Sequence, residues 1–105
     1  MNLTHESHLL DIAKTIMAQI KYGDPYALPA WGARHFVALP ESKEFQGGLR
    51  FRVSGLRFQG LVQIELRWAD DYTITFIDDA GMACKVVESV YCDMLVGVID
   101  WVEGR

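Results

Sequence analysis

The chain has little of what marks secreted, membrane or metal-stabilised proteins. Its two cysteines, Cys84 and Cys92, match no zinc-ligand spacing. No apolar run approaches the ~20 residues of a membrane span. Residues 1–8 are polar, contain no Lys or Arg, and precede no apolar segment of a signal peptide. We therefore expect a cytoplasmic protein with two reduced, half-buried thiols and no membrane partner.

Length and composition indicate one folded unit. With 105 residues and no stretch that resembles a linker, the chain is the size of one ordinary domain. Half of its residues are apolar, which excludes a disordered chain and provides material for a core. We interpret residues 1–105 as a single domain whose apolar surplus allows a homodimer interface.

Charge is unevenly distributed along the chain. The net charge is −4, but residues 34–67 carry +3 whereas residues 68–105 carry −6. Such polarisation indicates electrostatic contacts, either within the molecule or with a partner.

Apolar periodicity predicts a helix at each end. Over residues 4–22, Leu9, Ile12, Ile16 and Ile20 recur at helical spacing, and Gly23 supplies a stop. A second helix is predicted over residues 90–103, ended by Gly104. The connection over residues 26–31 contains a proline, which favours an extended crossing against the core.

Between the helices, alternation of apolar and polar residues predicts strands over residues 49–54, 58–68 and 72–76, and a run rich in aromatic and branched residues, closed by Pro40, predicts one over residues 33–39. Residues 41–48 read as a polar loop. Residues 82–87 favour a fifth strand over an early start of the last helix, because a turn ending in Gly precedes them.

Each clear strand has one apolar and one polar face, which is typical of an antiparallel sheet packed on one side. The predicted fold class is α+β: an N-terminal helix, an antiparallel meander of four or five strands and a C-terminal helix, with the helices on one sheet face. The expected core comprises Ile12, Ile16, Ile20, Phe51, Val53, Ile64, Leu66, Ile74, Leu95 and Val98.

The polar sheet face carries the one candidate binding cluster, Arg50, Arg52 and Arg67. A donor-rich sheet with aromatics can bind single-stranded nucleic acid. The aromatics Phe51, Trp68 and Phe76 are instead expected on the packed side, and Glu65 lies among the arginines. Cross-strand ion pairing with Glu65 and with the acidic last third is therefore the simpler interpretation.

No constellation of catalytic or metal-binding residues is recognisable. His5 and His8 are three residues apart rather than the four of the zinc-protease motif. His35 reads as a structural strand residue, and the pairs Asp70-Asp71 and Asp78-Asp79 read as turns. We predict no catalytic residue, no metal and no cofactor.

Four segments carry a family resemblance: Trp31-Gly32-Ala33-Arg34-His35-Phe36-Val37-Ala38, Gly48-Leu49-Arg50-Phe51-Arg52-Val53-Ser54-Gly55, Tyr72-Thr73-Ile74-Thr75-Phe76 and Val90-Tyr91-Cys92-Asp93-Met94-Leu95-Val96. Together they resemble a loose group of small uncharacterised proteins carried by bacterial phages and conjugative elements. The resemblance spans most of the chain and implies a mobile-element accessory protein, without assigning an activity or a catalytic residue.

These observations predict a non-enzymatic accessory domain that binds another macromolecule, first a second copy of itself and then another protein. Two alternatives stay open. One is a nucleic-acid-binding sheet that uses Arg50, Arg52 and Arg67. The other is an enzyme with an unfamiliar site around His35 and the Asp78-Asp79 turn.

Overall fold

The computed structural model describes residues 3–104, and side chains from residue 10 onward. Two helices come first, α1 (Leu3–Gly23) and the short α2 (Ala27–Ala30). Five strands follow: β1 (Arg34–Leu39), β2 (Phe45–Ser54), β3 (Gln59–Arg67), β4 (Tyr72–Ile77) and β5 (Ala83–Val90). The chain closes with α3 (Leu95–Ile99), flanked by 3-10 turns at Cys92–Met94 and Asp100–Glu103.

The strands form one antiparallel sheet in the order β1-β2-β3-β4-β5. Every neighbouring pair is antiparallel and joined by a short connection, so the sheet is a simple meander with β1 and β5 at its edges. The predicted α+β class, the meander and the fifth strand are confirmed.

One face of the sheet packs against the helices and forms the core. Phe51, Ile64 and Ile74 of the central strands and Ile16 and Ile20 of α1 have no exposed surface. Of the ten predicted core residues, Val53 and Leu95 are also buried, whereas Ile12, Leu66 and Val98 are partly buried and pack against the core. The register predicted from strand alternation is therefore correct.

The segment before β1 differs from its prediction. Ala27–Ala30 is one turn of helix, not an extended crossing. Pro29 is tolerated because its missing N–H falls within the first helical turn, where no intrahelical acceptor exists. The turn places Trp31 fully inside the core, where its Nε1–H donates to Asp100 Oδ1 over 2.8 Å.

Strand β2 begins at Phe45 and so includes residues that were interpreted as loop. Gly47 has φ +148° and lies at a register shift, which is the geometry of a β-bulge. A Cβ on Gly48 would lie 2.2 Å from the carbonyl oxygen of Ile64. These glycines therefore permit close strand pairing rather than a loop.

The predicted C-terminal helix is shorter than expected. Val90 is the buried last residue of β5 and pairs with Tyr72, so it does not begin a helix. Tyr91 has an extended backbone, and α-helical geometry is limited to Leu95–Ile99. Gly104 ends the segment at φ 88°, as its position predicted.

Candidate functional site

The predicted arginine cluster is divided by the structure. Arg50 and Arg52 lie on the outer sheet face, where their partners on β3 are Gln63 and Leu61. Arg67 lies on the same face but at the far end of β3. At about 3.3 Å per residue along the strand, Arg67 is roughly 13 Å from the level of Arg50 and 20 Å from that of Arg52.

Two of these arginines are paired with turn aspartates of the acidic last third, as predicted, whereas the ion pairs between described residues do not include the predicted pairing with Glu65. Arg52 forms an ion pair with Asp79, which follows β4. Arg67 donates from Nε and Nη2 to the two carboxylate oxygens of Asp71 over 2.5 and 2.7 Å. Glu65 instead accepts a hydrogen bond from Gln63.

The bidentate contact between Arg67 and Asp71 changes the proton affinity of both groups. The hydrogen bond from Arg67 lowers the pKa of Asp71 below its ordinary value. The same bond and the negative charge of Asp71 raise the pKa of Arg67. Both groups remain charged at neutral pH, and the charge of Arg67 is neutralised locally.

Arg50 lies in a mixed row of the outer face. Its cross-sheet neighbours are Val37, Gln63, Thr75 and Val86. No ion pair or side-chain hydrogen bond between described residues involves Arg50. The row provides one cation among apolar and neutral side chains, which is less than a phosphate-tracking groove requires.

The prediction for Trp68 is wrong. Phe51 and Phe76 lie in the core, but Trp68 is 54% exposed. Strand β3 ends at Arg67, so Trp68 begins the turn to β4 and strand alternation no longer determines its side.

The turn that carries Trp68 is held by several hydrogen bonds. The Arg67 N–H donates to the Asp71 carbonyl over 2.8 Å, and the Asp70 N–H donates to the Arg67 carbonyl over 2.9 Å. The Gln46 side-chain amide on β2 donates to the Arg67 carbonyl and to Asp70 Oδ1 over 3.0 and 2.8 Å. The turn is thus tied to two strands and presents an exposed indole on a fixed backbone.

The residues of the alternative enzyme site are not brought together. His35 is exposed on edge strand β1, with φ 57°. Asp78 and Asp79 follow β4, three strand spacings or about 14 Å across the sheet. Asp78 Oδ1 accepts hydrogen bonds from the backbone N–H groups of Ala80 and Met82 over 3.0 and 2.9 Å, as the turn interpretation predicts.

Cys84 and Cys92 are free thiols, and both are exposed rather than half-buried as predicted. The side chains of His5 and His8 lie outside the described part of the chain. Among the described residues, no group of three His, Cys, Asp or Glu side chains could hold a metal ion. Within the same residues, no helix is long and apolar enough to cross a membrane.

A second candidate surface, missed by the sequence analysis, lies along β1. This strand pairs with β2 on one side only, and residues 34–37 are exposed. Its Phe36 is 42% exposed, while its ring packs against Phe51 with 5.4 Å between the centroids. The free backbone of β1 is therefore accompanied by an apolar side chain that the core holds in place.

A trough runs between α1 and β1 beside this free edge. It consists of two cavities of about 430 and 350 Å³, which share Met17, Lys21 and Phe36 in their linings. The lining is mostly apolar, and its charged members, Lys14 and Lys21, are both basic. We refer to this feature as the β1 trough.

No family model, curated protein or solved structure matches the chain. The resemblance to proteins of phages and conjugative elements therefore stays a prediction.

Proposed function

We propose that this protein is a non-enzymatic interaction domain that binds an extended, partly acidic segment of another protein along β1. The observation that carries the proposal is the exposed edge strand beside the β1 trough. An added strand would hydrogen-bond to the free backbone of β1, and alternate side chains would enter the trough, which is the geometry of β-strand addition.

The size of the trough fits such a segment. Strand β1 has six residues, but the left-handed His35 and a register shift between Arg34 and Val37 interrupt it, so regular pairing with a partner would centre on residues 37–39 at about 3.3 Å each. The two cavities extend along the strand from Ala38 to Ala33. Side chains at every second position of the partner would therefore meet apolar walls at both ends of β1.

Charge favours a partner other than a second copy. Symmetric pairing of β1 with itself would bring Lys14, Lys21 and Arg34 of both copies to one seam, where like charges repel. An acidic partner would instead pair with the lysines. Self-association, the partner first predicted from the sequence, is an outcome that the test can reveal.

The test uses two short peptides, one alternating valine with glutamate and the other valine with lysine. Binding is followed by the backbone amide shifts of ¹⁵N-labelled protein in NMR. We expect the glutamate peptide to bind and to shift the amides of β1, and the lysine peptide to bind about two- to thirtyfold more weakly, since two exposed ion pairs contribute about 0.2–1 kcal/mol each.

The control is a charge reversal on α1. Replacing Lys14 and Lys21 with Glu should reverse the preference between the peptides, whereas Lys43→Glu in the exposed loop before β2 should leave it unchanged. The proposal is refuted if neither peptide binds, if the shifts lie on β5, or if light scattering shows a dimer in which β1 is already covered.

The nucleic-acid alternative has less support because Arg52 and Arg67 are paired with aspartates. Affinity for a single-stranded oligonucleotide that falls steeply with salt would revive it.

A further inference from the structure

A cleft on the outer sheet face has a composition different from that of the β1 trough. Its volume is about 380 Å³. It is lined by Phe45 and Trp68, which are aromatic, by Glu44 and Glu88, which are acidic, and by Arg67, Ala69 and Thr73. The cleft lies where the turn after β3 meets the ends of β2 and β5.

The charge of the cleft is negative despite the arginine in its wall. Both carboxylate oxygens of Asp71 engage Arg67, so this pair contributes little net charge. Glu44 and Glu88 form no ion pair with any described residue. The cleft therefore attracts a cation and offers it an aromatic surface at Trp68.

The floor of the cleft provides a second, independent observation. Thr73 is only 8% exposed, and its hydroxyl forms no hydrogen bond with a described residue. Among the described residues, no fully buried side-chain oxygen or nitrogen lacks a partner, so this hydroxyl keeps some exposed surface, and Thr73 lines the cleft. A nearly buried, unpaired hydroxyl is an acceptor that a ligand N–H group would satisfy.

We propose that this cleft binds the guanidinium group of an arginine side chain presented by another protein. A guanidinium is planar, so it stacks on an indole such as that of Trp68 while its N–H groups reach carboxylates. Glu88 on β5 supplies the carboxylate beside Thr73, whose hydroxyl accepts a further N–H, while Glu44 adds negative charge from the β2 side of the cleft, about three strand spacings away. Because the turn of Trp68 is already held by Gln46 and Asp71, little ordering accompanies binding.

The test compares Nα-acetyl-arginine amide with its citrulline analogue, an uncharged molecule of nearly the same shape. The indole N–H resonances of Trp31, Trp68 and Trp101 provide three internal reporters by NMR. We expect the arginine compound to shift the Trp68 resonance saturably at millimolar concentration. The citrulline compound should bind at least about fivefold more weakly. The lysine analogue tests whether a compact ammonium serves equally well, which would refute the choice of guanidinium.

Substitutions inside and outside the cleft distinguish binding at this site from a general attraction between a cation and an acidic protein. Glu88→Gln should weaken arginine binding about three- to fivefold, whereas Glu41→Gln, a nearby acidic residue outside the cleft lining, should not change it. Thr73→Val, which keeps the side-chain shape and suits a strand, should weaken binding about threefold. Equal shifts with arginine and citrulline, or equal effects of the two glutamine variants, would overturn the proposal. Neither result bears on the β1 trough, which is tested with other probes and residues.

Discussion

The hydrogen bond between Trp31 and Asp100 joins the segment before β1 to the C-terminal segment, and it provides the sharpest test of how these two segments stabilise the fold. Trp31 has no exposed surface, and its Nε1–H donates to Asp100 Oδ1 over 2.8 Å. In Asp100→Ala the indole N–H would remain buried without an acceptor, which costs about 1–3 kcal/mol. We expect a loss of about 2 kcal/mol in the free energy of unfolding.

Urea denaturation measures this loss directly. With a slope of about 1–3 kcal/mol/M, a change of 2 kcal/mol lowers the urea midpoint by roughly 1 M. It lowers the melting temperature by about 10 °C. Asp100→Asn keeps an oxygen acceptor and should lose less. In a Trp31→Phe background, which has no indole donor, Asp100→Ala should cost less than in the wild type. A wild-type midpoint for Asp100→Ala, or equal losses in both backgrounds, would refute this reasoning.

Two further predictions concern close packing and charge. Gly48→Ala should lower the free energy of unfolding by about 2 kcal/mol or more, because the new Cβ would lie 2.2 Å from the Ile64 carbonyl oxygen. Gly97→Ala on α3, which meets nothing within 4 Å, should be neutral or stabilising by up to about 1 kcal/mol in the same urea assay. Because the pKa of Asp71 is lowered on folding, its pair with Arg67 stabilises fully above the ordinary aspartate pKa near 3.9, and this stabilisation is lost as pH falls through the lowered value. A pKa of the Asp71 carboxyl at or above about 3.9, measured by NMR titration, would contradict this expected pH dependence.

Alternation of apolar and polar residues predicted the strands because one face of the sheet is exposed to solvent and the other packs against the helices. Phe51 and Val53 alternate with Arg50 and Arg52, and a shift by one residue would bury both arginines. Alternation could not predict the start of β2, since glycines have no side chain to assign to a face. It also misplaced Trp68, where the strand has ended and turn geometry decides exposure.

The candidate surfaces were harder to predict than the fold. Arg52 on β2 meets Asp79 in the turn after β4 although β3 lies between these strands, and the separation of the two residues in the sequence does not indicate this contact. The β1 trough requires α1 to lie beside the edge strand at a particular distance. Its weak signal in the sequence was the pair Lys14 and Lys21, seven residues apart on one helix face.

The meander topology explains how the segregated charge of the sequence is used. A meander places the turn after each strand beside its neighbouring strands, so acidic turns of the last third meet the arginines of the basic middle third. Asp71 and Asp79 neutralise Arg67 and Arg52 in this way. Lys14 and Lys21 lie on α1, on the opposite side of the sheet, beyond the reach of these turns. Two of the three arginines of the outer face are therefore neutralised from within the chain, whereas the basic rim of the β1 trough is left for a partner. This difference is the physical reason to look for protein binding at β1 before nucleic-acid binding at the arginines.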